Sequence, residues 1–296
     1  MEDWQYEEAS SEEKLRIAQH FLLSSPPGEV HEVLRDVAKL VPAHVLTDAA
    51  LQGALHSYNV SNMFPVAVPD GDYKMLICDD AQVDATHFVD MIARRVRGFD
   101  HVKQQLFAGD VAELPSSWTS SSFEAERLLV EKALQSYLQY EYMHQGTAAV
   151  FAKDSTIIVN LCTERVNLRN FWSGRWRSRW VIDVAANPPR VRGAIELHVH
   201  YFENGNLQLH CKKEVTGDGS DGAGELVHVD RPNGLGDAVL RVIKDAEDLV
   251  QSQLEDMYIN MSQETFKEMR RVMPVTQTKM EWSLHAHRTA KDLSRK

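Results

Sequence analysis

Between residues 147 and 215 the chain carries five strand-like runs in succession, and no other feature limits the fold as strongly. The runs are 147–153, 156–162, 175–184, 191–202 and 206–215, rich in β-branched and aromatic residues. Asn204-Gly205 lies between the last two. Asn and Gly tolerate the positive φ that a two-residue hairpin turn needs. Strands that follow one another through short connections favour an antiparallel sheet. A two-residue turn here places His198 opposite Cys211.

The sheet-like region is flanked by helical patterns. Ser10 to Glu13 reads as a capping box, and Leu15, Ala18 and Leu22 follow at helical spacing. Pro26-Pro27-Gly28 breaks the chain before a stripe of Val30, Val33, Leu34, Val37 and Val41, and a third helix is expected from Thr47. In the middle of the chain, 73–78 reads as a strand, 84–107 shows no clear period, and 115–122 reads as loop. A helix is expected over 123–143, with Leu129, Ala133, Ser136, Tyr137 and Tyr140 on its apolar face. A Gly/Asp-rich loop at 216–224 precedes a long helix whose stripe is Val239, Ile243, Ala246, Val250, Leu254, Met257 and Met261. The class is therefore α+β. Its expected parts are an N-terminal helical bundle (1–62), a mixed segment and helix (63–146), an antiparallel sheet (147–233), a long helix with a short basic helix (234–275) and a tail (276–296).

Charge is unevenly distributed. The chain has a formal net charge of −11, which argues against nucleic-acid binding through overall charge. Yet residues 265–296 hold eight Lys/Arg against three acids, so this tail is +5 and the preceding 264 residues are −16. On a helix, Lys267, Arg270 and Arg271 share one face and repel one another, unless an anionic partner turns the repulsion into attraction. A solvated helix end is the competing reading. Farther on, Trp282, Ala286, Ala290 and Leu293 form an apolar stripe opposite Arg288, Lys291 and Arg295. Such a segment suits an arm that docks into a groove or onto a membrane, or a helix packed on its own domain. The acidic start has no basic or apolar signal region, and three distant cysteines fit reduced thiols.

Two further constellations invite chemistry. In the run 170–180, Trp176, Ser178 and Trp180 share one strand face, and Arg175, Arg177 and Arg179 share the other. Interleaved aromatic and basic residues suit single-stranded nucleic acid, or else a core strand whose arginines pair with acids. His198, His200 and Cys211 are candidate zinc ligands, which makes a zinc-dependent enzyme one reading, although no fourth ligand or catalytic carboxylate is evident nearby and ordinary sheet residues explain them better. A membrane or RNA adaptor using the basic tail is another. No phosphate loop, dinucleotide fingerprint, nucleophile elbow or zincin motif occurs, which leans away from an enzyme.

Asn170-Phe171-Trp172-x-Gly174-Arg175-Trp176-Arg177-Ser178-x-Trp180, and Thr265-Phe266-Lys267-x-x-Arg270-Arg271-x-x-Pro274-Val275-Thr276-x-Thr278-Lys279 followed by Trp282, together resemble the alpha subunit of the heterodimeric F-actin capping protein. His200-Tyr201-Phe202-Glu203-x-Gly205-Asn206-x-Gln208-Leu209 resembles that family's hairpin. The resemblance implies an obligate heterodimer with a capping protein beta subunit, whose sheet continues the alpha sheet. It implies a mobile C-terminal tentacle that binds the F-actin barbed end and blocks subunit exchange, calcium-independently and without cofactor, metal or catalysis. The implied actin-binding residues are Lys267, Arg270, Arg271, Lys279, Trp282, Arg288, Lys291 and Leu293, with Gln277 standing where the family pattern is basic. Phosphoinositides and capping regulators (twinfilin, CARMIL-type motifs, myotrophin) are implied partners, nucleic acid is not, and the implied location is the cortical actin cytoskeleton of the cytoplasm. An unfilled sheet edge makes the lone chain an expected aggregator.

Overall fold

Three helices open the chain, and side-chain caps explain where two of them start. The Ser10 hydroxyl accepts from the Glu13 amide (3.2 Å) at the start of α1 (Ser11–Leu23), and the Thr47 hydroxyl accepts from Ala50 (3.3 Å) at the start of α3 (Asp48–Ser61). α2 (Val30–Leu40) lies between them, and Leu22, Val30, Leu51, Leu55 and Tyr58 form their common core. The computed structural model describes residues 9–203, 206–215, 225–226 and 234–260. The chain divides into two compact units, Met1–Ile243 and Lys244–Lys296.

The middle segment contains more strand than its sequence pattern suggests. β1 (Phe64–Ala67) pairs with β2 (Lys74–Ile77), and β3 (His87–Asp90), β4 (Arg95–Asp100) and β5 (Gln105–Glu113) form a three-stranded sheet across the stretch without clear periodicity. Buried charge hides the alternation. Arg97 sits in the core side by side with Asp90 (Nε–Oδ2 2.9 Å), and it also reaches Asp70 (2.9 Å).

His101 follows β4 and is fully buried among Phe88, Phe99 and His56. Its Nε2 lies 3.0 Å from the Ala85 carbonyl, and Nδ1 lies 3.3 Å from the Asn59 amide nitrogen, an arrangement that suits neutral imidazole. Burial pushes its pKa down to about 4. The native state then binds fewer protons than the unfolded state between pH 4 and 6.5, so stability falls as pH drops through that window. At about 1.4 kcal/mol per unit, His101 contributes on the order of 3 kcal/mol to the fall. His101→Gln is expected to flatten the fall, as read by urea midpoints at pH 7, 6, 5 and 4.

α4 (Glu124–Tyr140) corrects one expectation. Its buried face is Arg127, Val130, Leu134, Tyr137 and Leu138, whereas Leu129 and Tyr140 are exposed. The apolar stripe misleads because the buried face begins with an arginine.

The main sheet is antiparallel in the order β10-β9-β8-β7-β6. Its strands are β6 (Gly146–Lys153), β7 (Thr156–Asn167), β8 (Trp172–Asp183), β9 (Arg190–Tyr201) and β10 (Leu207–Val215), and the short β11 (Glu225–Leu226) also pairs with β9. β8 segregates its residues as its alternation demands. Trp180 is fully buried opposite Gly193, where a Cβ would sit 2.3 Å from the indole. On the other face each arginine has an acid: Arg175 with Glu164 (2.8 Å), Arg177 with Glu196, and Arg179 with Asp80 (2.7 Å). The run is thus a structural strand, with Trp180 in the core and its guanidinium groups paired inside the chain.

The last hairpin differs from expectation by one residue. Tyr201 pairs with Leu207, so five residues separate the paired positions. The two-residue turn at Asn204-Gly205 itself falls outside the described residues, as does the loop at 216–224. α5 (Gly234–Asn260) matches the expected long helix. Gly236 lets it approach α4, where a Cβ would lie 2.5 Å from the Leu129 carbonyl oxygen. Along its stripe, Val239, Ile243 and Val250 are buried and Ala246, Leu254 and Met257 are half-buried, while Met261 lies outside the described residues. Among the described residues no helix is long and apolar enough to cross a membrane.

Candidate functional site

The zinc reading fails on strand register. His198 faces His210, and Cys211 faces Leu197. A one-residue shift moves a side chain to the other side of a sheet, so Cys211 points away from His198 and His200. His200 is engaged elsewhere. Its Nδ1 lies 2.8 Å from Glu29 Oε1, its Nε2 lies 3.2 Å from Asn206 Oδ1, and Ser173 donates to the same Glu29 oxygen at 2.8 Å. This buried cluster ties the residue before α2 to β8 and β9. Burial, then the neighbouring His210, hold His198 down at about 4, and the two rings lie 3.8 Å apart. Burial also pushes the Cys78 and Cys162 thiols up to about 12, which makes them poor nucleophiles.

The two edges of the sheet are treated differently. Outside β6, Arg127 of α4 is 1% exposed and donates from Nη1 to the Val150 carbonyl at 3.1 Å. Glu124 and Glu131 hold the guanidinium in place, at 2.8 and 3.1 Å. A buried charged side chain thus satisfies one outward carbonyl of this edge.

β10 has no such cover among the described residues. Phe202 donates its amide to the Phe171 carbonyl at 2.9 Å, in register with the β8–β9 ladder. Bonded and non-bonded pairs alternate in an antiparallel ladder. Even-numbered residues of β9 therefore bond to β8, and odd-numbered ones bond to Leu207, Leu209, Cys211, Lys213 and Val215 of β10. The N–H and C=O groups of Gln208, His210, Lys212 and Glu214 then point out of the sheet. No strand pairs with them among the described residues.

One face beside this edge is apolar and incompletely covered. Leu197, Val199, Leu209 and Cys211 are half-buried, and Leu207 and Tyr201 are exposed. An open strand next to uncovered apolar surface is what a second protein chain can complete, by strand addition and by burial.

The residues expected to grip a filament, Lys267, Arg270, Arg271, Lys279, Trp282, Arg288, Lys291 and Leu293, all lie outside the described residues, as does Gln277. Missing from the sequence-based list are Arg127, Glu29 and the outward row on β10. Arg127 left a trace, because Glu124 and Glu131 stand at i−3 and i+4 from it.

Comparison with known proteins agrees with this architecture. The family profile described as F-actin capping protein alpha subunit matches residues 18–292. An F-actin-capping protein subunit alpha from Caenorhabditis elegans is 31% identical over 285 residues, covering 93% of this chain and 95% of that protein. Its counterpart in Dictyostelium discoideum is 30% identical over 284 residues, with the same coverage. A solved structure described as the homodimeric actin capping protein alpha subunit from Plasmodium berghei superposes with a TM-score of 0.71 at 20% identity, over 89% of this chain and 98% of that one. With a profile match spanning nearly its whole length, the chain belongs to the F-actin capping protein alpha subunit family, a family of non-enzymatic actin-binding proteins of the cytoskeleton.

Proposed function

We propose that this chain is one half of an obligate heterodimer that occupies actin filament barbed ends, calcium-independently, in the cortical cytoplasm. Its partner is a capping protein beta subunit that adds a strand to β10 and covers the adjoining apolar face. The observation that carries the reading is the contrast between the edges: buried Arg127 bonds an outward carbonyl on the β6 side, and the outward row on β10 has no partner strand among the described residues. The tail supplies the grip. Its +5 charge, set against −16 on the rest, suits the acidic surface of a filament, and its apolar stripe suits a groove on actin. Blocking is steric, so neither nucleotide nor metal takes part. Phosphoinositides compete for the same cations, and capping regulators are further partners.

Single exposed ion pairs contribute only about 0–1 kcal/mol each, so retention rests on several cations together with burial of the Trp282–Leu293 stripe. The combined change of Lys267, Arg270 and Arg271 to glutamate is expected to slow association and weaken capping by about 100-fold or more. Deletion of 279–296 is expected to act mainly through faster dissociation. Seeded actin elongation with the purified heterodimer measures both. Filament ends that stay blocked by the folded triple variant as by the native protein would contradict the reading.

A further inference from the structure

Lys213 is out of place on β10. The residues of that strand on the apolar face are Leu207, Leu209, Cys211, Lys213 and Val215. Lys213 is the one charged residue among them. It is half-buried, it pairs across the ladder with Ile195, and its side chain makes no ion pair or hydrogen bond among the described residues. Its neighbour on the opposite face, Lys212, does have an acid, Glu214 at 2.9 Å. The bonding alternation adds a second fact. Odd-numbered residues of β10 bond inward, so a strand added outside would meet Lys213 at a non-hydrogen-bonded pair, where side chains approach most closely.

A second copy of this chain cannot answer that charge. Two β10 strands related by a two-fold axis normal to the sheet keep their faces, so residue i meets residue j only when i + j is even. Within the strand, Lys213 then meets Leu207, Leu209, Cys211, Val215 or another Lys213. Every one of these registers leaves a lysine against an apolar side chain or against its own kind.

We propose that Lys213 selects the partner strand: the strand that extends the sheet beyond β10 carries a carboxylate opposite or diagonal to Lys213, and a second copy of this chain is rejected because it has none to offer. The inference rests on the edge-pairing reading above and adds the chemistry of the partner. It works by attraction toward the correct strand and by an unpaired charge against the wrong one.

The test is competition for the beta subunit. Native chain or one of the variants Lys213→Gln, Lys213→Glu and Lys212→Pro is co-expressed with a differently tagged native chain and a limiting amount of the beta subunit, and the share of soluble heterodimer that carries each is measured. Lys213→Gln is expected to compete a few-fold less well, and Lys213→Glu about tenfold less well or worse. Two differently tagged native copies, co-expressed with a limiting amount of the beta subunit, are expected not to co-purify in the soluble fraction, whereas two Lys213→Leu copies are expected to do so. Lys212→Pro removes an outward N–H and no bond to β9, so it reports on the edge itself. If Lys212→Pro abolishes competition while Lys213→Glu competes like native, the edge reading stands and the selection by Lys213 is overturned. If Lys212→Pro competes like native, the edge reading fails and takes this inference with it. Co-purification of the native copies would likewise overturn the rejection of self-pairing.

Discussion

Arg127→Ala is expected to destabilise the chain by about 3–5 kcal/mol, the cost of breaking a buried ion pair from one side. Arg127 is 1% exposed and serves three acceptors: Glu124 (2.8 Å), Glu131 (3.1 Å) and the Val150 carbonyl (3.1 Å). Truncation leaves two carboxylates, 17–19% exposed, close together, with the half-exposed Arg94 near Glu124 (3.2 Å) as the one remaining ion pair to them among the described residues. It also strips a backbone carbonyl of its donor at a sheet edge. An unmade hydrogen bond to such a group costs about 1–3 kcal/mol. The loss therefore comes from uncompensated charge more than from volume. A compensated variant separates the two: Arg127→Met with Glu124→Gln and Glu131→Gln is expected to recover most of the stability. Urea unfolding followed by tryptophan fluorescence, with the partner subunit at fixed concentration, provides the comparison. A midpoint for Arg127→Ala within about 0.5 kcal/mol of native would show that the β6 edge does not depend on this contact.

The parts of the fold that were legible are those where local period and burial agree. α1 and α3 begin at Ser10 and Thr47 because a side-chain oxygen caps each, and that chemistry is local. β8 is readable because Trp176, Ser178 and Trp180 alternate with Arg175, Arg177 and Arg179. Legibility ends where burial and polarity part company. β4 hides Arg97 in its core, so 84–107 loses its alternation, and α4 buries Arg127, so its exposed leucines suggest the wrong face. The β9–β10 register was misplaced by one residue because Asn204-Gly205 suggests the shortest turn, whereas the pairing resumes at Leu207. That single step decides whether His198 and Cys211 share a face, and with it the zinc reading. The open edge could not be read locally at all. Which groups of β10 point outward depends on a ladder that runs back through β9 to β8, and only the assembled sheet specifies it.

In the heterodimer, the amides of His210, Lys212 and Glu214 are expected to exchange with solvent about 100-fold or more slowly than unpaired amides, because a partner strand bonds them. The same strand supplies its own control. Leu209, Cys211 and Lys213 bond to β9 within this chain, so their amides are protected with or without a partner. An unpaired edge would instead give a period-two pattern, with even positions fast and odd positions slow. Residue-level hydrogen exchange on the purified heterodimer distinguishes the two patterns directly. Uniform protection along β10 is the predicted result; fast exchange at His210, Lys212 and Glu214 while the beta subunit remains bound would contradict strand addition at this edge.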